Sequence, residues 1–98
     1  MSKAFYSDFS EHCLRFYMRH TDPIFKGEAD RRNYEVCKEV LENLTDGDRE
    51  FITFIFSEGD TIADNIYKLS TVKSIPQDRI WKLVNDVEKK IAILRGIA

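Results

Sequence analysis

The sequence predicts an all-α fold of about five helices in a single domain. Apolar residues recur at spacings of three and four along five segments, and no segment alternates apolar and polar residues with a period of two. Turn and capping residues separate the segments. The chain has 98 residues, 43% of them hydrophobic and 33% charged, which is the size and composition of one compact globular domain.

The first two helices are predicted to form an N-terminal pair over residues 1–44. Helix one begins near Phe5 and ends at Thr21-Asp22-Pro23, because proline disfavours helical backbone in the residue before it. Helix two runs from about Glu28, whose charge suits the positive end of a helix dipole, to Leu44. The apolar stripes expected to be buried are Phe5, Phe9, Cys13 and Phe16 in helix one, and Tyr34, Cys37, Val40, Leu41 and Leu44 in helix two.

Two capping signals in the middle of the chain predict helix starts. Thr45 with Asp48, and Thr61 with Asp64, have the spacing of a capping box. The third helix has an apolar band too wide for one covered side, so we expect it to be the core helix with neighbours on two sides. That band is Phe51, Ile52, Phe54, Ile55 and Phe56. The short fourth helix points Ile62, Ile66 and Leu69 inward, and residues 70–74 are predicted to form a loop.

The last helix has the cleanest periodicity in the chain. It begins at Ile75-Pro76, because proline is tolerated in the first turn of a helix. Gly96 suits the left-handed position just past a helix, with Ile97 folding back over the last turn. The predicted buried stripe is Ile80, Val84, Val87, Ile91 and Leu94.

The charge is polarised along the chain. Seventeen acids and fifteen bases give a net charge of −2, which argues against a protein that coats nucleic acid indiscriminately. Residues 1–64 hold eight bases and fourteen acids, a net charge of −6, whereas residues 65–98 hold seven bases and three acids, a net charge of +4. This split indicates either a basic surface for an anionic partner or the chance polarisation that small domains often have.

No residue pattern indicates catalysis, a cofactor or a metal. No two of His12, Cys13, His20 and Cys37 have the spacing of a zinc knuckle, and both cysteines occupy apolar-stripe positions, as expected for reduced core thiols. The glycines are isolated, so no glycine-rich loop exists to cradle a phosphate. We therefore expect that the protein is not an enzyme and holds neither cofactor nor metal.

The compartment is predicted from two further absences. No apolar run approaches the roughly 20 residues of a membrane span, and Met1 to Ser10 lacks the basic and apolar regions of a signal peptide. We expect a cytoplasmic chain without membrane contact.

Residues 44–95 carry the pattern of a known family. Leu44 precedes Asp48-Arg49-Glu50-Phe51-Ile52, Glu58-Gly59 follows, and two more helical segments begin at Ile62 and Pro76. This stretch resembles the fourth conserved region of bacterial sigma factors and of small sigma-like phage proteins, a helix-turn-helix module. The resemblance implies that residues 45–98 form a helix-turn-helix-like unit and that the chain is a DNA-binding transcription regulator. Residues 1–43 do not resemble the neighbouring sigma regions, so a complete initiation factor is excluded.

Two departures from the family pattern concern the helix-turn-helix itself. The family joins its two motif helices with about three residues, whereas residues 70–75 are predicted to give a longer link. The recognition helix of this chain also begins Gln77-Asp78-Arg79, which brings an acid towards phosphate.

The candidate DNA-binding residues lie mainly on the flank of the last helix opposite its apolar stripe. Arg79 and Lys82 are best placed for base edges or phosphates, because an inserted recognition helix reads with its first turns. The others are expected to contact phosphates and the groove margin: Lys68, Lys73, Gln77, Lys89 and Lys90. The same residues also fit a solvated helix face of mixed charge, since Asp78, Asp86 and Glu88 lie among them.

The sequence also fits partners other than DNA. A protein-interaction module of the transcription machinery, binding RNA polymerase or another protein, is the alternative to DNA binding. Trp81 fits core packing or a partner contact. The aromatic residues of helix one fit either packing against helices two and three or a homodimer surface: Phe5, Tyr6, Phe9, Phe16 and Tyr17.

Overall fold

The computed structural model describes residues 6–19 and 24–97, and in these ranges it contains five α-helices and no β-strand. The predicted all-α class is confirmed. The helices are α1 (Ser7–Arg19), α2 (Glu28–Glu42), α3 (Asp46–Ser57), α4 (Ile62–Lys73) and α5 (Gln77–Leu94). Phe5, His20 and Pro23, which entered the predictions above, lie outside the described residues. None of the helices in the described ranges has both the length and the apolar content to cross a membrane.

Two helices, α1 and α5, lie at the centre of the fold. Helix α1 packs against α2, α3 and α5, and α5 packs against α1, α2 and α4. Helix α3 has two principal neighbours, α1 and α4. The expectation of neighbours on two sides of α3 is confirmed, but its designation as the core helix is wrong. Its wide apolar band is only partly covered, because Phe51 and Phe54 stay half-exposed while Ile52, Ile55 and Phe56 are buried.

The buried face of α1 is more polar than predicted. Cys13 is buried as expected, but Phe9 and Phe16 are half-buried, and Ser7, Ser10 and Leu14 are the other buried residues. The two serines reach the last helix: Ser7 Oγ donates to Glu88 Oε1 at 3.0 Å, and Ser10 Oγ donates to the Glu88 backbone oxygen at 2.9 Å. The residues that α1 buries therefore differ from the predicted stripe, because the side of α1 that faces α5 carries the two serines that bond Glu88.

Helix α5 buries most of its predicted stripe but not its last member. Ile80, Val84, Val87 and Ile91 are buried, whereas Leu94 is 41% exposed. Towards its end the covered side of α5 shifts to Glu88 and Ala92, where α1 bonds Glu88 and Asn33 of α2 accepts a hydrogen bond from Arg95. Leu94 lies on the other side of Ile91 from Ala92, because each residue turns the helix by about 100°.

The end of α5 closes as predicted. Gly96 has a φ of 77°, and its N–H donates to the Ile93 oxygen at 3.0 Å. The Ile97 N–H donates to the Ala92 oxygen at 2.8 Å, so the chain folds back over the last turn. These two bonds form a Schellman motif, in which glycine avoids the strain that a side chain meets at positive φ.

Residues 70–74 do not form the predicted loop. Helix α4 continues to Lys73, so the link to α5 is Ser74-Ile75-Pro76, three residues long, and the expected longer link is wrong. Thr71 Oγ1 donates to the Tyr67 oxygen at 3.0 Å, which satisfies its hydroxyl inside the helix. Ser74 ends the helix in the left-handed conformation, with a φ of 55°, and the Ile75 N–H bonds the Ser70 oxygen at 3.1 Å. This closure needs no glycine, which is why the sequence pattern placed the helix end too early.

Both predicted capping threonines cap their helices, but the reciprocal bond of a capping box is absent, because the Asp48 and Asp64 side chains make no hydrogen bond with any residue of the described ranges. Thr45 Oγ1 accepts from the Asp48 N–H at 3.2 Å, and Thr61 Oγ1 accepts from the Asp64 N–H at 3.1 Å. Each bond satisfies one N–H group that has no partner within its helix. The starts of α3 and α4 are therefore encoded locally.

Replacing either capping threonine should weaken the fold. We expect Thr45→Ala and Thr61→Ala each to lower the free energy of unfolding by about 1 kcal/mol, because each leaves a helix N–H without its side-chain acceptor. Urea unfolding followed by circular dichroism measures the loss. Thr71→Ala is the matched control and should be close to neutral, since Thr71 lies inside a helix and is exposed. An equal loss in the control would contradict the assignment of the caps.

Ser74→Gly should stabilise the protein. Glycine adopts the left-handed conformation of residue 74 without the steric strain that a side chain meets there. Because glycine also loses more backbone entropy on folding, we expect the free energy of unfolding to rise by only about 0.5 kcal/mol. Ser57→Gly is the control and should lower stability, because Ser57 belongs to α3. Thermal unfolding of the two variants should give shifts of opposite sign, and shifts of the same sign would refute the strain at Ser74.

Candidate nucleic-acid interface

The outward face of α5 carries four exposed bases, namely Arg79, Lys82, Lys89 and Lys90. Lys82 and Lys89 lie opposite the buried stripe of Ile80, Val84, Val87 and Ile91, and Arg79 and Lys90 lie on one flank of that stripe. The burial of the stripe fixes the rotation of α5 about its axis. None of the four basic side chains makes a hydrogen bond or an ion pair with any residue of the described ranges. Their donors are therefore available to a ligand.

The remaining candidates lie on α4 and at its junction with α5. Lys73 is the last residue of α4 and Gln77 is the first of α5, so the two flank the three-residue link, and both are exposed. Lys68 is exposed too, but its ammonium pairs with the Asp60 carboxylate. The hydrogen bond that Lys68 donates to Asp60 raises the pKa of Lys68, and the negative charge of Asp60 adds to that effect. Lys68 is thus the one candidate whose charge is already engaged.

Acidic residues interrupt the basic face. Asp86 lies one turn from Lys82 on one side and from Lys90 on the other, and Asp78 lies in the first turn of α5. Both are exposed. Asp78 suits the positive end of the helix dipole, which explains its position independently of any ligand. With two acids among four bases, the face has a modest positive charge.

Two further arginines carry the charge of a DNA-binding residue but donate hydrogen bonds within the protein instead. Arg49 donates to the backbone oxygens of Leu41 and Leu44, at 3.0 and 3.2 Å, and so satisfies carbonyls at the end of α2. Arg15 of α1 donates to the backbone oxygens of Glu58 and Asp60, at 3.0 Å each, in the turn after α3. These roles had no signal in the sequence, because each depends on contacts between separate helices or turns.

An aromatic residue of α4 that was not predicted as a candidate is also exposed. Tyr67 is 60% exposed, next to Lys68 and one turn before Thr71. The signal was present, because Tyr67 falls off the inward stripe of Ile62, Ile66 and Leu69. Tyr67 therefore adds an aromatic group to the surface that includes the candidate residues of α4.

The other aromatic candidates are used in packing. Trp81 is half-buried against the core. Tyr17 of α1 lies against Tyr34 of α2, with ring centroids 4.8 Å apart, and Phe25 meets the same Tyr34 ring edge-on at 5.5 Å. Contacts with α2 thus occupy part of the aromatic side of α1, and a homodimer through the rest of it stays a prediction.

The two cysteines are placed as core thiols. Cys13 and Cys37 are 1% and 0% exposed. Burial raises the pKa of Cys13 to about 11 and that of Cys37 to about 12, from an ordinary value of 9.0. A nucleophilic cysteine needs the opposite, an accessible thiolate. Within residues 6–19 and 24–97, no group of three histidine, cysteine or acidic side chains is arranged to hold a metal ion.

Comparison of the chain with protein-family models, with curated proteins and with solved structures finds no match. The resemblance of residues 44–95 to sigma factor region 4 therefore stays a prediction.

The buried thiols should make the protein sensitive to alkali. Well below pH 9 the thiols are protonated in both the folded and the unfolded state. Above pH 9 the thiols of the unfolded chain ionise first, so each should cost stability at about 1.4 kcal/mol per pH unit until pH passes its folded pKa. Urea unfolding between pH 8 and about 10.5 measures this loss. The variant Cys13→Ala with Cys37→Ala should lose less stability over that range, and parallel profiles of the two proteins would contradict the raised pKa values.

Proposed function

We propose that this protein is a DNA-binding transcriptional regulator in which α4 and α5 act as a helix-turn-helix. The observation that carries the proposal is the outward face of α5, where the side chains of Arg79, Lys82, Lys89 and Lys90 are exposed and engage no described residue. The three-residue link supports it, because helix-turn-helix units join their helices by three or four residues. The resemblance of residues 44–95 to sigma factor region 4 points the same way.

In this proposal α5 is the recognition helix. Its N-terminal half enters the major groove, where Arg79 and Lys82 donate to base edges or to the nearest phosphates. The guanidinium of Arg79 suits a guanine, since its two donors match the two acceptors on the major-groove edge of that base. The planar fork gives Arg79 more discriminating power than Lys82, whose ammonium acts as a point charge.

The other bases position the protein on the DNA backbone. Lys89 and Lys90 lie about three turns along α5 from Arg79 and contact phosphates at the groove margin. Lys73 and Gln77 contact the strand that crosses the α4–α5 link. Lys68 contributes after giving up its pairing with Asp60, an exposed ion pair of little stabilising value.

The acidic residues limit binding to DNA in general. Asp86 and Asp78 repel phosphate, and the net charge of the whole chain is −2. Affinity for arbitrary sequences is therefore weak at physiological salt and depends steeply on ionic strength. A correct sequence adds the base contacts of Arg79 and Lys82.

Charge reversal at the start of α5 should abolish binding to DNA. We expect Arg79→Glu with Lys82→Glu to weaken affinity for labelled duplex DNA about 100-fold or more at low salt, because two attractive contacts become repulsive. Fluorescence anisotropy with a mixed-sequence pool, at low and physiological salt, measures the loss. Lys26→Glu with Lys38→Glu makes the same charge change on the α2 side and should weaken binding much less.

The salt dependence gives an independent readout of the phosphate contacts. Lys89→Ala with Lys90→Ala should reduce the slope of log affinity against log salt by about two, one for each lost contact. Absence of binding by the wild-type chain at low salt, or equal losses in the α2 control, would refute the proposed function.

A further inference from the structure

A groove of about 440 Å³ runs between the first turns of α3 and the first half of α5. Its apolar lining comes from Phe51 of α3, Ile75 of the α4–α5 link, and Ile80 and Leu83 of α5. Ile80 is buried, but the other three are only half-buried. The fold thus leaves apolar side chains accessible at the bottom of a cleft, where a ligand could cover them.

The charges along the groove differ between its two walls. Asp48 borders it on the α3 side, Arg79 and Lys82 border it on the α5 side, and Asp86 follows Lys82 by one turn. The side chains of these four residues make no hydrogen bond or ion pair with any residue of the described ranges. An occupant can therefore pair with all four without breaking an existing contact.

The walls also restrict the conformation of the occupant. Both are helices, whose backbone groups bond within the helix, so the groove has no strand edge to which an extended peptide could add. A peptide lying there has to satisfy its own backbone hydrogen bonds, and a helix does so. DNA does not fit the groove, because phosphate gains nothing from an apolar floor and is repelled by Asp48 and Asp86.

We propose that this groove binds a short amphipathic helix of a protein partner. The apolar ridge of that helix covers Phe51, Ile75 and Leu83. Acidic side chains on one flank pair with Arg79 and Lys82, and basic side chains on the other flank pair with Asp48. This pattern of an apolar ridge between flanks of opposite charge is the complement of the groove, and it does not depend on the proposed binding to DNA.

The test selects the occupant by its chemistry. The probe is a displayed library of helical peptides of about 18 residues, five turns, randomised over one face and panned against the full chain. Arg79→Glu with Lys82→Glu serves for counter-selection. We expect the enriched peptides to share an apolar ridge with acids on one flank and bases on the other. No enrichment over the counter-selected chain would overturn the proposal.

A synthetic peptide from the selection then locates the site. It should shift the backbone amide resonances of Gly47, Phe51 and Leu83 and should bind Arg79→Glu with Lys82→Glu about tenfold more weakly or worse. Exchanging its acidic flank for lysines should restore binding to that variant. Shifts confined to another face, or affinity that ignores the charge reversal, would overturn the proposal.

Asp48→Asn separates this site from the proposed DNA interface. The substitution should weaken peptide binding, because it removes the carboxylate that pairs with the basic flank, and should leave duplex DNA binding close to unchanged, because Asp48 lies on α3 and not among the bases of the α5 face. If the wild-type chain binds the peptide but no DNA, only the proposed function as a DNA-binding regulator is refuted. If it binds DNA but no peptide, only the proposed helix-binding groove is refuted. If the wild-type chain sediments as a dimer that Leu83→Glu dissociates, the occupant is a second copy, and the inference of a separate partner is wrong.

Discussion

The fold depends on the contact between α1 and α5, where a carboxyl group is buried between two helices. Glu88 is 4% exposed, and a buried polar side chain is costly unless hydrogen bonds compensate it. Ser7 Oγ bonds its side chain and Ser10 Oγ bonds its backbone oxygen. Because the serines lie about one turn apart on α1 and meet the same residue of α5, they fix both the rotation and the axial position of one helix against the other. The outward face of α5, with its bases, follows from this arrangement.

The other end of α5 is held by the link to α4. Ser74 reverses the chain in a left-handed conformation, and Ile75 packs against the core while its N–H bonds the Ser70 oxygen. Pro76 then starts α5 with a fixed φ of −57°. A link of only three residues, held by the Ile75–Ser70 hydrogen bond and the fixed φ of Pro76, has few conformations open to it. The first two turns of α5, where Arg79 and Lys82 lie, are therefore positioned by backbone geometry as well as by packing.

Features encoded by neighbouring residues could be predicted from the sequence. The caps at Thr45 and Thr61, the four buried members of the α5 stripe and the left-handed Gly96 each depend on one segment of chain, so periodicity and turn chemistry reveal them. The burial of Glu88 and the bonds from Arg15 to the turn after α3 depend on segments far apart in sequence. The bonds from Arg49 span only five and eight residues, but they depend on how α3 turns back against the end of α2. A pattern along one helix cannot show which side a second helix will cover, which is also why Leu94 was misplaced.

In the candidate interface, too, features that depend on one helix could be predicted and features that depend on several segments could not. The exposure of Arg79, Lys82, Lys89 and Lys90 was predictable, because they lie outside the strong apolar stripe of α5. The length of the link was not, because Ser and Thr near the end of α4 weaken helix propensity but bond backbone carbonyls once the helix forms. The groove beside α5 was also unpredictable, since α3, α5 and the link together form it.

The pairing of α1 with α5 also determines when this chain can fold during its synthesis. The bonds from Ser7 and Ser10 to Glu88 span 81 and 78 residues of sequence. A nascent chain that has emerged only through α4 still lacks α5, so the side of α1 that packs against α5 has nothing to cover it. The capped pair α3 and α4 forms contacts between neighbouring segments and can assemble early, whereas closure of the core is a late, non-local step. Until α5 has cleared the ribosome, the exposed α1 is the part of the nascent chain that most needs protection from aggregation.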